Sequence, residues 1–135
     1  IIDISHAMPY IHKRGLIHRD LKIDNIMLDS SVNSKVVDFG PVKIYESFEN
    51  AFDFNKTMIL VPEMKRGDEY DYKTDVYSFG VVVYYIVFLK FPNIKNDNYI
   101  SFPNSSKSAS HICLDLISRC LAYDQKDRPT FDVII

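Results

Sequence analysis

The chain has 135 residues, enough for one domain with a modest core, and its 47% hydrophobic and 25% charged residues are those of a soluble globular protein. A net charge of −2 excludes a broad electrostatic pull toward nucleic acid or an anionic membrane. Two cysteines, Cys113 and Cys120, are too few for a disulfide framework or an all-cysteine zinc site, and read as two buried thiols on one helix of a cytosolic protein.

In chain order, IIDISHAMPY carries no basic start and no small-residue cleavage site. Apolar Ile1, Ile4, Met8 and Ile11, followed by Gly15, predict a helix with a glycine stop, kinked or shortened at Pro9. Ile26-Met27-Leu28 and Lys35-Val36-Val37 flank the polar run Asp29 to Ser34 and predict a hairpin. Residues 41–60 show no sustained period and read as irregular, and Met64 to Lys73 (MKRGDEYDYK) reads as a solvated, charge-rich loop. Val76 to Leu89 is too short to span a bilayer. Its β-branched residues favour a strand and its length a buried helix, with Thr74 or Asp75 as candidate caps. Ala109, Ile112, Cys113, Leu116, Ile117 and Cys120 define an amphipathic helix, capped by Ser108 and ending near Asp124 to Pro129. The expected fold is mainly α with one small β-hairpin. Ile1 falls inside a helical pattern and FDVII stops without a cap, so the chain is expected to be a piece of a longer protein.

One stretch conflicts with a simple core. IHRDLKIDNIML (17–28) sets His18, Arg19, Asp20, Lys22, Asp24 and Asn25 among apolar neighbours, where unpaired buried charge is costly. Its His18-Arg19-Asp20-Leu21-x-x-x-Asn25 fixes five letters, a coincidence on the order of once in three million starts were residues equally frequent. Asp38-Phe39-Gly40 follows beyond the predicted hairpin. Alone, Asp20 or Asp38 reads as a turn residue and Lys22 as a solvated lysine; together, in this order and at this distance, they form a constellation.

That constellation resembles the catalytic loop and D-F-G of eukaryotic-type protein kinases. Tyr10-Ile11-His12 with Gly15, Val61-Pro62-Glu63, Asp75-Val76-Tyr77-Ser78-Phe79-Gly80 and Arg128-Pro129-Thr130 resemble further motifs of that family's C-terminal lobe, and settle the Val76 segment as helix. The resemblance implies one partial kinase domain over 1–135: a C-lobe with one small hairpin and the N-terminal lobe missing. It implies ATP and Mg²⁺ as cofactors and a protein substrate as partner. Asp20 would accept the substrate hydroxyl's proton, Lys22 would sit against the γ-phosphate, and Asn25 and Asp38 would hold magnesium through hard oxygens. His18 reads as a satisfied core histidine rather than a proton donor. Asp75 would accept hydrogen bonds from the backbone around His18 and Arg19, and Glu63 would pair with Arg128. Arg19 would meet a phosphorylated Tyr45, Ser47 or Thr57 and order residues 41–60. Lys22 resembles serine/threonine kinases, and Tyr77 in the Asp75–Gly80 motif the tyrosine-kinase-like group.

The pattern also breaks. The four glycines, Gly15, Gly40, Gly67 and Gly80, permit no G-x-G-x-x-G, and the strand lysine and helical glutamate of the family's first lobe are not in these residues. Pro41 follows Gly40, and Asn55-Lys56 stands where the family has Gly-Thr, with Thr57 one place late. Two functions follow: part of an active protein kinase, or a truncated or degenerate kinase serving as a non-catalytic protein-binding module. The isolated chain is expected to lack kinase activity, to bind Mg·ATP weakly, and to be adhesive where apolar surface would face the other lobe.

Overall fold

The computed structural model describes residues 1–39, 61–69, 71–95, 99–104 and 109–134. In order these form α1 (Ile2–His12), a short 3₁₀ turn at Ile23–Asn25, β1 (Ile26–Leu28), β2 (Ser34–Val36), α2 (Pro62–Arg66), α3 (Lys73–Phe88), β3 (Asn93–Lys95), β4 (Tyr99–Ser101), α4 (His111–Cys120), a 3₁₀ turn at Gln125–Asp127 and α5 (Phe131–Ile134). The described chain is mainly helical with two antiparallel strand pairs. None of its helices is long and apolar enough to cross a membrane.

α3 is the centre. Nine of its residues are buried, Val76, Phe79, Val82 and Val83 among them. α4 packs against α3 through Ile117 and Cys120, and the α1 side chains Ile4, Met8 and Ile11 join the same buried core, with α1 lying against α5 and β2. Phe131 of α5 meets Phe79 edge-on at 5.2 Å. The close fit of α3 to α4 needs Gly80: a Cβ there would lie 2.7 Å from Cys120 Cβ. Burial in that seam pushes the Cys120 thiol up to about 12, whereas Cys113 is half-buried.

β1 pairs with β2 in the register Ile26↔Val36, Met27↔Lys35, Leu28↔Ser34. Asp29 organises the turn: its Oδ1 accepts from Ser31 N and Asn33 N, both at 2.9 Å. The Asn33 hydrogen bonds, with smaller help from Ser31 and Lys35, hold the Asp29 carboxyl below its usual range. Asp3 in the first turn of α1 accepts from Ser34 N at 2.8 Å, fixing the hairpin to that helix.

Several expectations need correction. α1 is not shortened at Pro9 but runs through it to His12, because the lost N–H costs one bond while Lys13 N still reaches Pro9 O at 2.9 Å. Met64–Lys73 is not all loop: α2 occupies its start, with Pro62 in the first helical position and Gly67, at φ 72°, stopping it. Neither Thr74 nor Asp75 caps α3; both lie inside its first turn with side chains engaged elsewhere, and Asp71 Oδ1 accepts from Lys73 N at 2.7 Å instead. A second hairpin exists, β3 to β4, with Ile94 opposite Ile100, and Tyr84 Oη donates to Ser101 O at 3.0 Å. α4 ends at Cys120, short of Asp124, and Ile112 on its predicted apolar stripe is 83% exposed. Ser108 and residues 41–60 lie outside the described residues.

Candidate active site

The stretch 17–28 leaves α1 through a turn at Gly15 and ends in β1, so its charged residues sit on a short connection between two fixed elements. Lys22 Nζ donates to Asp20 Oδ2 at 2.9 Å. Asn25, buried on the 3₁₀ turn, gives both Nδ2 contacts to Asp20: the carbonyl at 2.7 Å and Oδ2 at 3.2 Å. Asp20 is thus held from two sides with its other carboxylate oxygen, Oδ1, left out of these bonds. The Asn25 carboxamide oxygen is the atom that would meet a cation.

The turn carrying Asp20 is strained. Arg19 sits at φ 66°, in the left-handed region that costs a residue with a Cβ about 1–2 kcal/mol. What holds it is Asp75, fully buried in the first turn of α3: Oδ2 accepts from His18 N and Oδ1 from Arg19 N, each at 2.8 Å. His12 Nε2 meets the same Oδ2 at 2.8 Å. His18 is buried with both ring nitrogens engaged: Nε2 donates to Val37 O at 3.1 Å and Nδ1 accepts from Asp20 N at 3.3 Å. Its ring contacts Phe39 at 4.8 Å.

Asp38 follows Val37, whose N–H donates to Asn25 O at 3.0 Å and whose carbonyl accepts from His18. Asp20 and Asp38 are therefore anchored on the same two residues, His18 and Asn25. Asp38 is exposed, at φ 60°. One carboxamide and one carboxylate make the sparse, hard-oxygen set that Mg²⁺ accepts when substrate phosphates supply further ligands. A cavity of about 420 Å³ between α1 and β2, lined by Asp3, His6, Lys35 and Phe39 among others, takes none of Asp20, Lys22, Asn25 and Asp38 into its wall. Gly40, Tyr45, Ser47 and Thr57 lie outside the described residues.

Farther off, Arg128 Nη1 and Nη2 donate to Glu63 Oε1 and Oε2, both at 2.7 Å, with both side chains fully buried. Thr74 Oγ1 donates to Glu63 at 3.1 Å, and Lys73 Nζ donates to Arg128 O. Burial pushes the Glu63 carboxyl up, but the Arg128 hydrogen bonds and charge, with Thr74, overcome it and hold the group below its ordinary 4.5. Sequence reasoning missed Lys73, Thr74 and the bond of His12 to Asp75. The one local signal was that Thr74 and Asp75 are poor choices for the inside of a buried helix.

With this geometry described, comparison with known proteins gives the family. The sequence matches the protein kinase domain over residues 1–135, and the chain belongs to the protein kinase family. It is 31% identical to the probable serine/threonine-protein kinase gdt4 of Dictyostelium discoideum over 99% of this chain and 9% of that protein. It is 34% identical to the dual specificity protein kinase pyk3 of the same organism over 100% of this chain and 11% of that one. With the serine/threonine/tyrosine-protein kinase HT1 of Arabidopsis thaliana the identity is 32% over 99% of this chain and 37% of the relative. The chain thus spans only about a tenth to a little over a third of these relatives' lengths.

Proposed function

We propose that residues 1–135 are the C-terminal lobe of a cytosolic protein kinase that moves the γ-phosphate of ATP to serine and threonine hydroxyls of proteins. The observation that carries this is the bonded set Asp20, Lys22 and Asn25 on a turn whose strain is held by Asp75. Phosphoryl transfer needs positioning and charge neutralisation more than covalent chemistry. Asp20, steered by Lys22 and Asn25, accepts the hydroxyl proton and aims the oxygen. Lys22 places positive charge beside the point where that oxygen meets the phosphate. Asn25 and Asp38 would hold the magnesium, which supplies neutralisation of phosphate charge. Arg19, one residue before Asp20, is the reading's regulatory contact, toward a phosphorylated Tyr45, Ser47 or Thr57. The preference for serine and threonine rests on Lys22; the relatives' names span serine/threonine and dual specificity kinases.

One observation favours a second reading, a kinase-derived binding module: four scattered glycines cannot make a phosphate-covering glycine loop within this chain. The two readings part on one experiment. In the protein extended to include any first lobe, Asp20→Asn is expected to slow phosphotransfer about 10²- to 10⁴-fold in a radiolabelled-ATP assay. Equal rates would refute Asp20 as the base.

A further inference from the structure

We infer that the C-terminal end of α3 is a docking surface for a short segment of a partner protein, one that mixes apolar and acidic side chains. Ile86, Leu89 and Phe91 receive its apolar groups and Lys90 its carboxylate.

Leu89 closes α3 at φ 52°, in the left-handed region where a helix most readily ends on glycine. Its N–H donates to Tyr85 O at 2.7 Å, and that capping bond uses only the backbone. The leucine side chain adds nothing to the cap and carries the steric cost of its Cβ. Nor does it serve the core. It is 77% exposed and, with Ile86 and Phe91, stands outside the apolar side chains packed on the buried cluster. A strained backbone and a displayed leucine at one position are two costs that nothing in the described fold offsets.

The neighbours extend the surface. Ile86, 42% exposed, lies one turn back on α3. Phe91, 40% exposed, folds its ring against Tyr85 of that turn, with centroids 4.8 Å apart. Lys90, between Leu89 and Phe91, is exposed and joins no ion pair among the described residues. The contacts of α3 with the catalytic loop are at its other end: Asp75 stands in the first turn, about 20 Å away along the axis. The surface is therefore separate from the candidate active site and holds under either reading of function.

Size and charge select the occupant. Ile86, Leu89 and Phe91 together offer on the order of 300 Å² of apolar surface. Each partner in a stable protein pair gives about 800 Å², so a second copy of this chain finds too little here and a short segment fits. The Lys90 ammonium beside that apolar surface calls for a carboxylate on the segment.

The test uses this chain with two fluorescein-labelled probes: a peptide alternating glutamate with leucine and phenylalanine, and its counterpart with lysine for glutamate. Polarisation reads binding, and amide ¹⁵N shifts read its place. The acidic probe is expected to bind at least ~10-fold more tightly than the basic one and to move the amides of residues 85–91. Leu89→Gly is expected to weaken the acidic probe at least ~10-fold while raising the melting temperature by about 2–5 °C, since glycine suits the cap better. Lys90→Glu is expected to reverse the preference between the probes. Equal binding of the two probes to the parent, or shifts that spare residues 85–91, overturns the proposal. A lower melting temperature in Leu89→Gly also overturns it, because the leucine would then be holding the fold. So does a concentration-dependent dimer in sedimentation that Leu89→Gly abolishes, which would make a second copy the occupant.

Discussion

Glu63 and Asp75 are both carboxylates with no exposed surface, and they solve burial in opposite ways. Glu63 meets a guanidinium edge to edge, with two 2.7 Å bonds from Arg128. Asp75 takes two backbone N–H groups and an imidazole. The first arrangement fastens side chain to side chain and ties α2 to the segment before α5. The second fastens a side chain to the main chain and holds Arg19 where it would not rest by itself. One buried charge secures packing and the other imposes a shape.

Substitution separates the two roles. Glu63→Gln strands the Arg128 charge in the interior and is expected to cost about 3–5 kcal/mol by chemical denaturation, with His18 and Arg19 amide shifts unmoved in whatever fraction stays folded. Its pH dependence follows from the lowered carboxyl: the pair stabilises above the ordinary carboxylate range and loses that contribution as pH falls through the folded value, so the gap between parent and variant should narrow on acidification. A gap that widens in acid would contradict the pairing.

Asp75→Asn keeps the shape but turns an acceptor oxygen into an N–H facing other N–H groups. A loss of roughly 1–3 kcal/mol is expected, with exchange at His18 and Arg19 accelerated beyond what that global loss explains. Acceleration no greater than the global effect would erase the distinction between the two carboxylates.

Gly80→Ala is the control for size without position. Its Cβ would meet Cys120 Cβ at 2.7 Å, an atom fixed to the backbone. Overpacking of about 1–2 kcal/mol is expected, and Cys120→Ala should not rescue it because the offending atom remains. The loop amides should stay as in the parent, although the loss matches that of Asp75→Asn; loop opening here would mean that any destabilisation loosens the turn.

The smallest effect concerns strain at the surface. Val32, 73% exposed in the first hairpin's turn, sits at φ 64°, an outlying conformation for a β-branched side chain. Val32→Asn should raise stability by roughly 0.5–1 kcal/mol in a thermal melt, since asparagine tolerates that region better. Destabilisation would show that this turn, like the one at Arg19, is held by something that valine supplies.

Much of this was legible in the sequence, and the gaps have identifiable causes. The run from Val76 to Leu89 announces a core element by its length, and the spacing of Ile4, Met8 and Ile11 announces the buried face of α1. Local rules failed where a side chain answers to a distant partner. Thr74 and Asp75 look like caps because threonine and aspartate favour that role, yet their partners stand 11 and 57 residues away. α4 was read several residues too long because nothing nearby shows that the carbonyls of Ala122 and Tyr123 are taken by Arg128 rather than by another helical turn. β3 (Asn-Ile-Lys) and β4 (Tyr-Ile-Ser) each set one isoleucine between less apolar neighbours, unlike the apolar triplet of β1, and Tyr84, whose Oη donates to Ser101 O, lies outside both strands. At the candidate site, residue types and spacing disclosed Asp20, Lys22 and Asn25, whereas the bond from His12 to Asp75 is a property of how two helices meet.

Arg128 is the most fully committed side chain described. Nε donates to Ala122 O, Nη1 to Glu63 Oε1 and Lys73 O, Nη2 to Glu63 Oε2 and Tyr123 O: five bonds. A guanidinium has five hydrogens to give. Nothing is left over with which to greet a phosphate, so whatever anions this protein recognises, it recognises them elsewhere, and lysine, with three hydrogens on one point, is no understudy for this position.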